Sequence, residues 1–192
     1  MDPFDVFGIA PGFDLDPGAL ERRQRELARV VHPDRFAGAG AAERRRALSR
    51  AVDVNEAHRA LRDPIRRAEA LLRRLGVAVG ELAEPKAPPH LLMEMMERRE
   101  ALASAHAARD AAELGRLEAW AEGREAEVLA ALSAGFARAL AEAGEGATGG
   151  AAGLVGRLGE LRYLRRFLDE VRAIREDLAT RLEPGAPDAS KG

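Results

Sequence analysis

The residues best equipped for chemistry are the consecutive His32, Pro33 and Asp34. An imidazole and a carboxylate two positions apart can act as a general acid–base pair. Alternatively, the carboxylate can accept a bidentate hydrogen bond from an arginine of another protein. The proline between them restricts the backbone and fixes the directions in which the two side chains project. The plainer reading is turn chemistry, with Pro33 stopping a helix and Asp34 capping a neighbouring group. An enzyme would need more than this pair. The sequence shows no evident nucleophile, no metal-ligand spacing and no β-structure to line a pocket, so the acid–base reading is the weakest. With no cysteine there is neither a disulfide framework nor a thiolate metal site. His90 and His106 are isolated. His58 shares a helix side with Asn55 and Leu61 and reads as a packed histidine. The Gly-rich stretch 144–150 lacks a Lys-Ser/Thr and a preceding strand, so it is not a phosphate loop. No cofactor is expected.

Two helix faces extend the list. Before the tripeptide, Leu20, Gln24, Leu27 and Val31 share one stripe, and Arg22, Arg25 and Arg29 share the opposite one. A basic ridge thus leads up to His-Pro-Asp, although by itself such a ridge is usually a solvated face. Further on, Leu91, Met95 and Leu102 make one apolar stripe. Leu92, Met93, Met96, Glu97 and Glu100 make a second beside it. A helix that buries one side has no use for Leu-Met-Met next to two glutamates on another. Methionine adapts to irregular surfaces, which suits a docking strip with acidic edges. Burial on two sides is the competing reading.

Local signals place these residues on helices. Ala, Leu, Arg and Glu dominate, with few β-branched or aromatic residues, which favours helix throughout. A short helix is expected from Asp2 to Phe7, ended by Gly8. Asp16-Pro17 starts a second that runs to about Val31 and is stopped by Pro33. Phe36 to Gly40 reads as a loop, a third helix covers about Ala41 to Arg62, and Asp63-Pro64 opens a fourth that ends near Gly76. Residues 77–89, with three prolines and a glycine, read as a linker. Pro88-Pro89 opens a helix to about Arg109. Asp110 and Glu113 resemble a capping box for a long helix to about Glu142. A Gly-rich turn, a last helix from about Leu154 to Leu182 and a polar tail, expected to be disordered, complete the chain.

The 192 residues suffice for one large domain or two small ones. Net charge is only −2, which by itself says nothing about nucleic acid, and no nucleic-acid partner is expected; the charge divides unevenly, with +3 on residues 1–76 and −5 on residues 77–192. The two halves therefore offer surfaces to different partners. The N-terminus has neither the basic nor the apolar segment of a signal peptide, and no apolar run reaches the length of about 18 residues needed to span a bilayer. A cytoplasmic, monomeric protein without a membrane partner is expected.

Taken together, the short first helix, basic second helix, His32-Pro33-Asp34 loop and third and fourth helices resemble the J domain of DnaJ-type co-chaperones. Phe36, Val54-Asn55-Glu56-Ala57 and Leu61-Arg62-Asp63-Pro64-Ile65-Arg66-Arg67-Ala68 add to that resemblance. It implies that His32, Pro33 and Asp34 trigger ATP hydrolysis in an HscA/DnaK-class chaperone. Arg22, Arg25 and Arg29 would dock on that chaperone's acidic surface, and Arg35 stands where Lys or Arg is usual. The opening residues Met1 to Gly8 and the segment from Leu91 to Glu100 are similar to the HscB family of iron–sulfur co-chaperones. This resemblance implies an all-α fold: a J domain at 1–76, a linker at 77–89 and a three-helix domain at 90–183, in an L-shaped arrangement, with a tail from 184 to 192. It also implies an IscU-type scaffold as client, held by Leu92, Met93, Met96, Glu97, Glu100 and Tyr163. Ser104 departs from the family, which often has a further acid there. The protein would then be no enzyme but a stimulator of its partner's ATPase, delivering scaffold for cluster transfer. A general J protein delivering unfolded clients is the alternative.

Overall fold

A computed structural model describes residues 1–36, 38–79, 89–142 and 149–182. The regular structure among them is helical: α1 (Pro3–Phe7), α2 (Pro17–Val30), a 3₁₀ turn (Pro33–Phe36), α3 (Ala41–Arg62), α4 (Pro64–Arg74), α5 (Pro89–Ala108), α6 (Ala111–Glu142), the single turn α7 (Gly149–Ala152) and α8 (Leu154–Leu182). Most of the expected linker, the greater part of the Gly-rich turn and the polar tail lie outside the described residues.

Aspartate sets the starts. Asp2, Asp16 and Asp63 each hold extended backbone and accept a main-chain N–H from the first turn, with proline at the first helical position. Asp110 accepts from the N–H of Glu113 at 2.9 Å. The expected capping box is only half made, because the Glu113 carboxylate turns to Arg116 at 2.6 Å instead of reaching back. At the other ends, Gly8 closes α1 with φ 62°. Arg109 closes α5 at φ 52°, with the N–H of Asp110 bonded to the carbonyl of Ala105. That 6→1 bond is the Schellman pattern, here with arginine at the left-handed position glycine usually takes.

The described chain forms two compact units. One comprises Met1–Pro85 with Ala130–Leu158, the other Lys86–Leu129 with Gly159–Gly192. In the first, α3 packs on α1, α2 and α4 through Val54, Ala57 and Leu61, around the fully buried Phe4, Phe7 and Leu71. The later segment joins this unit through a stack of Phe13 on Phe136 at 5.5 Å and a hydrogen bond from Ser133 to Asp14. In the second, Leu114, Leu117 and Ala121 of α6 are buried, as are Leu161, Phe167 and Val171 of α8 and Leu102 of α5. Salt bridges join α6 and α8 at the rim, among them Arg165–Glu125 at 2.8 Å and Arg172–Glu122 at 2.6 Å.

Candidate functional site

The tripeptide sits where α2 stops. Val31 no longer holds helical geometry, and Pro33 opens the 3₁₀ turn, so His32 and Asp34 stand on a tight bend instead of a helix flank. His32 is 57 % and Asp34 90 % exposed at the side chain. The His32 Nδ1 lies 3.3 Å from the backbone N–H of Asp34 and 3.5 Å from its carboxylate. These two contacts require opposite states of Nδ1: without a proton it accepts from the N–H, and with one it donates to the carboxylate. Either way the carboxylate stays open to solvent, with lone pairs free for an incoming donor. A catalytic acid–base pair would sit in a cleft, and this one does not.

Arg22, Arg25 and Arg29 are exposed on α2, as is Arg35 in the turn. Arg22 lies 3.6 Å from Asp16 and Arg25 3.9 Å from Glu21, long contacts between exposed groups that leave both guanidinium groups available to a partner. The opposite stripe behaves as its periodicity requires, with Leu20 buried and Gln24, Leu27 and Val31 partly covered.

On α5 the two stripes separate. Leu102 is buried and Leu91 and Met95 are partly covered, whereas Leu92, Met93 and Met96 are 47 %, 63 % and 63 % exposed. Glu97 and Glu100 are exposed beside them, as is Ser104. Five of the six residues expected to hold a client therefore share one open face. Tyr163 does not. It is 7 % exposed, its hydroxyl donates to the Met95 carbonyl at 3.1 Å, and its ring lies against Phe167 at 6.1 Å. Desolvation raises the Tyr163 phenol above its ordinary pKa, and the nearby Arg99 opposes that rise. Tyr163 thus supports α5 from beneath and is no part of the open face. Its position at the margin of the α8 stripe could not distinguish the two roles.

A second support leaves no periodicity in the sequence. Arg98 places its guanidinium 4.5 Å from the centre of the Trp120 ring, which meets Phe167 edge-on at 5.8 Å. Trp120 is only partly covered by the bundle and carries a cation over its face. His58 is a packed histidine as read, stacked on Phe7 at 6.2 Å. Among the described residues no cluster of His, Cys, Asp or Glu could hold a metal, and no helix is long and apolar enough to cross a membrane.

Residues 87–172 match the family model described as the HSCB C-terminal oligomerisation domain. A co-chaperone protein HscB homolog of Bordetella pertussis is 45 % identical over 118 residues, 62 % of this chain and 68 % of that one. The chain belongs to the HscB co-chaperone family. The chaperone HscB from Vibrio cholerae has the same architecture, with a TM-score of 0.77 at 30 % identity over 93 % of this chain and 99 % of that one. Human co-chaperone protein HscB matches in fold, with a TM-score of 0.77 at 23 % identity over 90 % of this chain and 81 % of that one. An HscB homolog of Burkholderia multivorans is 45 % identical over 107 residues, 56 % of this chain and 61 % of the relative's length. The first four helices of this HscB-family chain, with their His-Pro-Asp turn, are accordingly its J domain, and α5 is the first described helix of the region matched by the C-terminal model.

Proposed function

We propose that this HscB-family chain carries an iron–sulfur scaffold protein on α5 and presents it to a DnaK-class chaperone, whose ATPase its His-Pro-Asp turn stimulates. The observation that carries the reading is the α5 face. Three large apolar side chains, 47 % to 63 % exposed within five residues of one another, are a cost in water unless a partner covers them. Glu97 and Glu100 give that partner's surface its sign: apolar at the centre and basic at the edge. A folded scaffold with such a patch fits this better than unfolded chains of varied composition.

At the other surface, Arg22, Arg25, Arg29 and Arg35 steer an acidic face of the chaperone towards the turn. Asp34 then accepts a bidentate hydrogen bond from a chaperone arginine. His32 and Pro33 hold that carboxylate in place. ATP hydrolysis is the chaperone's chemistry, and the cluster stays with the scaffold. The J protein supplies proximity and a conformational trigger in the cytoplasm.

Truncating Leu92, Met93 and Met96 together to Ala tests the reading. Exposed positions change stability far less than the roughly 2–5 kcal/mol of a buried truncation, so the melting midpoint should stay within a few degrees. Scaffold capture should fall at least tenfold, and stimulation of the chaperone without scaffold should persist. Undiminished scaffold capture would remove the client from α5. Capture of unfolded peptides with no preference for the folded scaffold would favour the general J protein.

A further inference from the structure

Sulfur is unevenly placed in this chain. There is no cysteine, and of the four methionines three, Met93, Met95 and Met96, fall within one turn of α5. Met93 and Met96 stand three apart on the open face, each 63 % exposed. Met95 is partly covered, and its carbonyl accepts the Tyr163 hydroxyl from beneath. The fourth, Met1, is exposed and belongs to the first unit. With no thiol to react first, an oxidant meets thioethers, and apart from Met1 the exposed ones lie at the centre of the α5 strip. A sulfoxide oxygen accepts hydrogen bonds and donates none. Its neighbours in the strip are Leu92, Glu97 and Glu100, one alkyl group and two further acceptors, so nothing in the strip pairs with it. While the strip is bare, water does. Under the apolar centre of a client, the same oxygen is buried without a partner, which weakens binding.

We propose that Met93 and Met96 are a reversible oxidation site that closes α5 to its client and leaves the J domain working. The proposal rests on reading the strip as the client's docking surface. In the oxidation step, a thioether sulfur gives an electron pair to one oxygen of hydrogen peroxide. The S–O bond forms and the O–O bond breaks, and the proton on the transferred oxygen passes to the departing hydroxide, which leaves as water. Sulfur loses two electrons and the peroxide gains them. In the reverse direction, two thiols of a methionine sulfoxide reductase become a disulfide and the oxygen leaves as water. At each position a flexible apolar side chain becomes a polar one. Both positions are exposed, so folding of the free chain changes little. A bound client covers these sulfurs, so oxidation selects the unloaded chain. Helix α2 and the His-Pro-Asp turn hold no sulfur, which leaves chaperone stimulation untouched.

Treating the full chain with graded hydrogen peroxide tests this, with peptide mass mapping to count the oxygens on each methionine. Met93 and Met96 should gain theirs before Met95, and bound scaffold should slow both. With one oxygen on each of the two, capture of an iron–sulfur scaffold should fall about tenfold or more. The melting midpoint should stay within a few degrees, and ATPase stimulation without scaffold should be unchanged. Methionine sulfoxide reductases acting on both sulfoxide epimers, with dithiothreitol, should restore capture. Met93→Leu with Met96→Leu, whatever its own affinity, should keep that affinity through the same treatment. Met95→Leu should lose capture as the wild-type chain does. A fall of less than about threefold once both sulfurs are oxidised overturns the proposal, and so does an equal fall in the Met93→Leu, Met96→Leu chain. A fall that comes with a collapsed midpoint also overturns it, because the oxygens would then act on folding instead of docking. An untreated chain that captures no scaffold ends the client reading as well, whereas capture that survives oxidation ends this proposal alone.

Discussion

Asp34 exposes nine-tenths of its side chain at the end of a basic helix, which is a poor place for a structural carboxylate and a good one for a recognition group. Its contact with His32 is between exposed groups and contributes little to folding. His32→Gln and Asp34→Asn should therefore each abolish ATPase stimulation while shifting stability by less than about 0.5 kcal/mol. Circular-dichroism melting beside a steady-state ATPase assay checks this, and retained stimulation in either variant would show the turn to be only a helix stop. Tyr163 is the opposite case, a polar side chain doing structural work. Its phenol is raised by burial, so the folded state favours the protonated form. Its contribution to stability is full below the ordinary phenol value of about 10 and is lost as pH rises through the higher folded value. The chain has a single tyrosine, so phenolate absorbance reads this group alone. The native titration should lie above that of the chain in denaturant, and Tyr163→Phe should lessen the alkaline fall in melting midpoint. Coincident native and denatured titrations would place the hydroxyl in water.

At the scale of elements, helix positions were legible because the punctuation is local. Three Asp-Pro pairs and Gly8 mark their ends by chemistry that needs no tertiary partner. The capping box at Asp110 is only half realised because the Glu113 carboxylate has a competing cation in Arg116, one turn along. The glycines inside α6 show what local reading cannot decide. A Cβ at Gly123 would meet nothing within 4 Å, whereas one at Gly135 would meet the Leu154 Cδ2 at 2.4 Å. Leu154 is buried and has little room to give way. Gly123→Ala should raise stability by about 0.5–1 kcal/mol, the helix-propensity gain alone. At Gly135 the same gain is opposed by overpacking worth about 1–3 kcal/mol, so Gly135→Ala should lower stability by about 1 kcal/mol. Denaturant melts of the two variants would check the signs, and a stabilised Gly135→Ala would mean that Leu154 repacks freely.

For the whole molecule, composition and charge divide the chain near residue 77, but packing draws a less linear line. Residues 130–158 group with residues 1–85, through Phe13 on Phe136 and Asp14 with Ser133. Contacts between positions this far apart leave no periodicity for a sequence to display. The proposed split in function does not depend on that line. The arginines of α2 and the His-Pro-Asp turn belong to the first unit and the α5 strip to the second. Reversing Arg25 and Arg29 to Glu therefore removes no group from which the strip is built. Both side chains are exposed, so folding should be little changed. Association with the chaperone should slow about tenfold or more at low salt, since steering by exposed charge sets the encounter rate. Its dependence on salt should flatten, because screening acts over about 10 Å at 0.1 M and there would be less attraction to screen. Affinity for the scaffold should stay within twofold of wild type. Stopped-flow association across a salt series, beside scaffold titration, measures both. Equal loss at the two partners would mean that chaperone and scaffold share one surface, and the chain would then be a switch between them instead of a bridge.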